Sequence, residues 1–294
     1  MILPSFAKIN LGLRILGKRS DGYHDLCTIF QTISLHDTIT FDEADELTLT
    51  ANLRYLPMDE RNLIIKAGHR LMELTGVKRG AVVYLEKQIP SPGGLGGGSS
   101  NAAVAMLAFN KLWELGLSIE ELHSIGTELG SDVPFFLYGG TAIGTGRGTE
   151  IEPINDLALE NIVLVAPHVR VSTRDAFARL GVERLTSANS ADILLNCRFE
   201  AKQGDTSTLS LLNDFEKRVF GAHPEIGRAK NKLLELGAAK AAMSGSGSSV
   251  YGFFDNKETR QTALKALDDE VNWRSFAVAA ISRSNYREAL EQVY

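Results

Sequence analysis

From residue 8 to residue 15 apolar and polar positions alternate, with Ile9, Leu11, Leu13 and Ile15 on one face and Lys8, Asn10 and Arg14 on the other. A repeat of two is that of a half-buried strand. It sets Lys8 and Asn10 side by side on a face that need not be core. Residues 18–22 read as a turn, and strands are expected at 29–34, 38–41 and 47–50. A helix follows from Asn62 to Leu74, closed by Gly76, then a strand at 82–86. A nearly unbroken apolar stretch over 101–115 predicts a buried helix stopped by Gly116. Ser118 and Glu121 have the spacing of a capping box for the next helix, which ends near Gly126.

Past Pro153 the pattern changes. A short buried strand at 162–166 precedes helical stretches near 173–180, 193–195, 210–220 and 224–236. Strands at 239–243 and 250–254 flank a turn at 244–249, and a helix at 259–267 leads to a last strand at 276–281. That α-β-β-α-β order predicts an α+β sandwich for the second half, with a break between the halves near 150–160. Residues 185–203 show no clear period, and 183–222 match no motif.

The bulk numbers narrow the class. A chain of 294 residues, 44% of them apolar, is one large domain or two ordinary ones with a sizeable core. The net charge of −5 is spread along the chain and no basic run of five appears, so neither nucleic acid nor an anionic membrane surface is an expected partner. Cys27 and Cys197 belong to no metal-binding or disulfide spacing. No signal core, transit segment or membrane-length apolar run is present, so the cytoplasm is expected. Monomer and homodimer both remain open.

The chemistry concentrates in Pro92, Gly93, Gly94, Leu95, Gly96, Gly97, Gly98, Ser99, Ser100 and Asn101, which run directly into the apolar helix. Without Cβ atoms such a backbone can approach a ligand and converge its N–H groups on phosphate oxygens. The helix dipole favours the negative charge. A flexible linker rarely enters a buried helix, so phosphate binding is the stronger reading. The Walker pattern fails because Ser99 stands at the lysine position, and the dinucleotide fingerprint fails at the same residue. A cation must therefore come from elsewhere in the chain or from Mg²⁺, for which the Ser99 hydroxyl is a candidate ligand.

Pro92 to Ala103 resembles the second signature of the GHMP kinases (galactokinase, homoserine kinase, mevalonate kinase, phosphomevalonate kinase). Pro4 to Leu11 resembles the first, and Met243 to Ser249 the third, in the expected order over nearly the whole chain. Arg19-Ser20-Asp21-Gly22-Tyr23-His24 and Gly130-Ser131-Asp132-Val133-Pro134 are similar to the branch that acts on a cytidine diphosphate derivative of methylerythritol. The resemblance implies ATP-dependent phosphorylation of that substrate's 2-hydroxyl, in non-mevalonate isoprenoid synthesis. It implies a two-domain α+β fold: an N-terminal ribosomal-protein-S5-like domain over 1–155, carrying the ATP loop, and a C-terminal ferredoxin-like domain over 156–294. Rival expectations are a homoserine- or mevalonate-type kinase and a nucleotide-binding regulator without catalysis.

Site residues follow from both lines. Locally, Asp132 reads as a cap or turn aspartate; the resemblance makes it the catalytic base. Lys8 reads as a strand lysine, and the resemblance pairs it with Asp132. Asn10, on the same face, is a candidate for substrate hydroxyl or phosphate. By resemblance Tyr23 stacks on the cytidine ring and His24 bonds near it. Phe30 and Phe177 are further candidates for that pocket, with core packing a rival for Phe177. Asn62 is an adenine candidate or a helix cap, and Lys87 is a further adenine-side candidate. Gly245, Ser246 and Gly247 form a hairpin turn that the resemblance brings to the substrate phosphates.

Overall fold

The computed structural model describes residues 1–178, 190–203 and 209–294. Two long strands, β1 (Ile2–Lys18) and β2 (His24–Ala44), form an antiparallel hairpin whose register shifts between Asn10 and Gly12. The stretches expected at 29–34 and 38–41 are one strand, because His36 and Asp37 resume the ladder after a register shift. Next come β3 (Leu47–Ala51), α1 (Leu63–Thr75) and β4 (Gly80–Glu86). β3 and β4 are parallel, so α1 is the crossover between them. Asn62 caps α1 by accepting from the Ile64 N–H, and Gly76 ends it at φ 72°. Ile64, Ala67, Gly68 and Leu71 form its buried stripe.

α2 (Gly97–Leu112) begins four residues before the apolar run, so two of the loop glycines are already helical. Ser100 through Phe109 are all buried, as expected of a helix apolar all round. α3 (Ile119–Leu129) carries the capping box of Ser118 and Glu121. A 3-10 turn at Pro134–Leu137 follows, then a hairpin, β5 (Thr141–Thr145) and β6 (Glu150–Pro153), for which the sequence reading had no counterpart. One edge of β2 takes β1; the other is shared by β5 near the start of β2 and β4 near its end.

The second sheet holds β7 (Ile162–Pro167), β8 (Lys240–Met243), β9 (Val250–Phe253) and β10 (Trp273–Val278) in the order β10-β7-β9-β8, all antiparallel. The intervening helices are α4 (Thr173–Ala178), α5 (Ser190–Gln203), α6 (Glu216–Ala222) and α7 (Pro224–Glu235) before β8, and α8 (Lys257–Leu267) before β10. This is the split β-α-β of a ferredoxin-like fold, as expected. The end of the helix expected at 173–180 lies outside the described residues. The helix expected at 210–220 shrinks to α6 because Leu212 and Asp214 bond to the backbone of Leu13, drawing that segment along β1. β10 begins three residues earlier than expected, and α9 (Arg283–Ala289) was not expected. α9 returns to the first core, where Tyr286 and Leu290 are fully buried.

Side chains of β1 and β2 share one apolar core with β7, β9 and β10, so the two sheets are joined by packing and not by a bare linker. Among the described residues no helix is long and apolar enough to cross a membrane.

Candidate active site

The glycine loop is stitched to strand one and to the β8–β9 turn by main-chain bonds. Lys8 N–H donates to Leu95 O at 3.0 Å, and Ser249 N–H donates to Gly93 O at 3.0 Å. Ser244 Oγ donates to Gly94 O at 2.9 Å and accepts from Asn10 N–H at 3.3 Å. Gly94 has φ 72°, and a Cβ there would stand 2.2 Å from Ser244 O. Only glycine fits that crossing. Gly96, also left-handed, starts α2 without any side-chain cap. Helix geometry leaves the first-turn N–H groups of residues 97–99 without an intrahelical acceptor. They face a cleft of about 950 Å³ lined by residues of both sheets.

Lys8 meets Asp132 in that cleft. Lys8 Nζ is 3.3 Å from Asp132 Oδ2; the lysine side chain is 3% exposed and the aspartate 33%. Asp132 sits in a turn whose next residues, Val133 to Leu137, are wholly buried and anchor it. Lys8 Nζ also donates to Asn10 Oδ1 at 2.6 Å and lies 5.5 Å from the centre of the Phe30 ring. Phe30 lines the cleft, but its ring stacks on Phe135 at 4.8 Å, beside Lys8 and away from the stack that joins His24 to Phe177.

A buried carboxylate, Asp37, lies beneath the loop. It accepts from Gln88 N–H at 2.7 Å, Ile89 N–H at 2.8 Å and Asn101 Nδ2 at 2.9 Å, and it pairs with the Lys87 ammonium. Burial pushes the Lys87 ammonium down from its ordinary range, and the Asp37 charge opposes that. Asn101 Nδ2 further donates to Ser5 Oγ, which donates to Ser100 Oγ. Strand one, the end of β4 and the first turns of α2 are thereby locked together.

The far end of the cleft is aromatic and cationic. His24 stacks on Phe177 with ring centres 5.1 Å apart, and Phe177 meets Phe215 edge-on at 4.8 Å. The Arg147 guanidinium lies 3.6 Å from the centre of the Tyr23 ring. Burial, aided by the nearby Lys18 charge, holds the His24 imidazole below its usual value, which keeps the ring neutral. Ser246 Oγ and Thr173 Oγ1 are 3.0 Å apart where α4 meets the β8–β9 turn.

Pro92 through Ser99 line the cleft together with Lys8, Asn10 and Asp132. So do Tyr23, His24, Phe30, Phe177, Gly245 and Ser246. Five sequence-named residues do not. Asn62 is the α1 cap, its Nδ2 donating to Pro57 O. Lys87, Ser100 and Asn101 are buried in the Asp37 network, behind the loop. Gly247 turns away, its N–H bonded to Ser244 O. Sequence reasoning missed Lys18, Thr28, Arg147, Arg174 and Phe215. Arg147 alone had a local signal, glycines on both sides in the β5–β6 turn.

Two family models match the chain: GHMP kinases N terminal domain over residues 62–140 and GHMP kinases C terminal over 200–272. A 4-diphosphocytidyl-2-C-methyl-D-erythritol kinase of Thermodesulfovibrio yellowstonii is 42% identical over 270 residues, covering 90% of this chain and 93% of that protein. One of Bacillus cereus is 42% identical over 296 residues, covering 99% of each. A crystal structure of 4-(cytidine 5'-diphospho)-2C-methyl-D-erythritol kinase superposes with a TM-score of 0.78 at 30% identity, covering 95% of this chain and 99% of that one. The homoserine kinase of Cytophaga hutchinsonii shares the fold at a TM-score of 0.74 and 20% identity, covering 97% of this chain and 95% of its own.

Proposed function

Because the chain belongs to the GHMP kinases, among the 4-diphosphocytidyl-2-C-methyl-D-erythritol kinases, we propose that it transfers the γ-phosphoryl group of ATP to the 2-hydroxyl of 4-diphosphocytidyl-2-C-methyl-D-erythritol. The observation that carries this reading is the Lys8–Asp132 pair, set in one cleft between the open N-terminus of α2 and the Tyr23–His24–Phe177 group.

Each end then has its task. The loop backbone and the first-turn N–H groups of α2 hold the triphosphate. Tyr23, His24 and Phe177 hold the cytidine, and the cations Lys18, Arg147 and Arg174 lie on the cleft wall with them. Asp132 accepts the proton of the substrate hydroxyl, whose oxygen forms the new bond to the γ-phosphorus while the bond to the β–γ bridging oxygen breaks and ADP leaves. A lysine ammonium has three donors. Lys8 directs one at Asn10 and faces Asp132 with another, leaving a third for the transferring phosphoryl oxygens.

Among the described residues no cluster of three acidic, His or Cys side chains could cage a metal. Mg²⁺ needs no such cage, since it keeps several waters and takes one or two protein oxygens besides the phosphates; Ser99 Oγ, on the cleft wall, would be one of them. When bound there, Mg²⁺ would neutralise charge on the phosphates.

A coupled ADP-release assay across the cytidylated methylerythritol, mevalonate and homoserine tests the assignment. Turnover is expected with the first alone. ADP release with mevalonate or homoserine and none with the cytidylated alcohol would overturn it.

A further inference from the structure

An asparagine amide can present either end to a neighbour, and hydrogen-bond polarity decides which. At Asn10 one neighbour is the Lys8 ammonium, which can only donate, so the atom 2.6 Å from Nζ is Oδ1. The opposite end, Nδ2, lies 2.7 Å from Thr28 Oγ1. A hydroxyl has a single proton, and Thr28 gives its own to Gly12 O at 2.6 Å. Its oxygen therefore faces Nδ2 as an acceptor. Gly12 follows a register shift in the β1–β2 ladder, where a bulge takes a backbone group out of regular pairing. Lys8, Asn10 and Thr28 are 2%, 3% and 1% exposed, and all three lie on the cleft wall.

We propose that Thr28 is a positioning residue for phosphoryl transfer: its hydroxyl locks the Asn10 amide in the one orientation that aims Oδ1 at Lys8, and so fixes the ammonium between Asn10 and Asp132. The inference rests on the catalytic reading of Lys8 and Asp132 given above. Proton polarity runs one way along the chain of bonds, from Lys8 into Asn10, from Asn10 into Thr28, and from Thr28 into the Gly12 carbonyl. Turning the amide over would set Nδ2 against an ammonium and Oδ1 against an oxygen whose proton is already committed. Without the Thr28 oxygen only the Lys8 ammonium still selects the orientation, the Asn10 Nδ2 loses its acceptor, and the amide that holds the ammonium is fixed at one end instead of two.

The test compares Thr28→Val, which keeps the shape and removes both hydroxyl functions, with Thr28→Ser, which keeps them. Steady-state kinetics are read with ATP and the cytidylated methylerythritol on the full chain. Valine is expected to lower kcat about tenfold while both KM values stay within about twofold, the pattern of a misplaced group that acts in the transition state. Serine is expected to restore kcat to within about twofold of the parent. A valine variant with parental kcat, a serine variant as slow as valine, or a valine variant whose KM values rise along with the loss of kcat would each overturn the assignment. Should the valine variant not fold, Thr28→Cys, with its weak donor and acceptor, is read instead: reduced kcat supports the relay and parental kcat refutes it. A parent enzyme that ignores the cytidylated substrate refutes the substrate assignment, and the relay is then read on whichever alcohol releases ADP.

Discussion

The two ends of the cleft are made differently. At the end to which we assign the triphosphate one contiguous segment, Gly93 to Ser99, supplies backbone N–H groups, and glycines are there for what they lack. At the end to which we assign the cytidine the walls are side chains from four separate places: Tyr23 in the β1–β2 turn with His24 at the start of β2, Arg147 in the β5–β6 turn, Phe177 on α4 and Phe215 before α6. A main-chain site tolerates change in its flanks but not an added atom in the loop. A side-chain site loses its contacts one residue at a time.

The largest expected effect tests the chemistry between the ends. Asp132→Asn is expected to lower kcat by about 10²–10⁴-fold, the usual contribution of a general base, while calorimetry still registers ATP binding. Next is the loop. Gly94→Ala puts a Cβ 2.2 Å from Ser244 O at a φ of 72°. Strain of about 1–3 kcal/mol is expected to raise the KM for ATP about tenfold and leave that for the cytidylated alcohol unchanged. Tyr23→Ala should do the reverse: stacking worth roughly 1–3 kcal/mol per base is lost, so the alcohol's KM rises about tenfold and that of ATP holds. If either variant moves both KM values equally, the division of labour between the two ends fails.

The smallest effect is a pH dependence. Burial, and then the Lys18 charge, lower His24 from its ordinary 6.5, so the neutral ring persists at that pH and protonates only below it. The stability and the binding that depend on the neutral ring are therefore present above that point and lost as the pH falls through the lowered value. The alcohol's KM is expected to hold through alkaline and neutral solution and to rise about threefold in acid, what one hydrogen bond of roughly 0.5–1.5 kcal/mol is worth. His24→Gln should abolish the rise. A profile that turns upward above 6.5 would contradict the direction of the shift.

Legibility followed the same division. The glycine loop, the capping box of α3 and the β-α-β-β-α-β order could be read because each rests on local spacing or on a short period. The pairing of Lys8 with Asp132 came from family resemblance, since 124 positions of chain carry no local trace of the 3.3 Å contact. Asp37 was invisible: it falls in the break expected between the strands at 29–34 and 38–41, yet it is fully buried under four donors. The pairing of Lys87 with Asp37 was hidden for the same reason, because the two lie 50 residues apart. α9 escaped notice because its buried face is short, and what holds it is the distant first core.

The sequence by itself determined the glycine loop, because glycine's freedom and a helix N-terminus are properties of consecutive residues. It also determined which strands and helices form, wherever a period of two or of 3.6 ran long enough to register. Only the tertiary structure decided which charges are buried in pairs, which way the Asn10 amide faces, and which aromatic rings form one wall. Those outcomes depend on desolvation and hydrogen-bond polarity between segments that meet only after the two sheets have packed together.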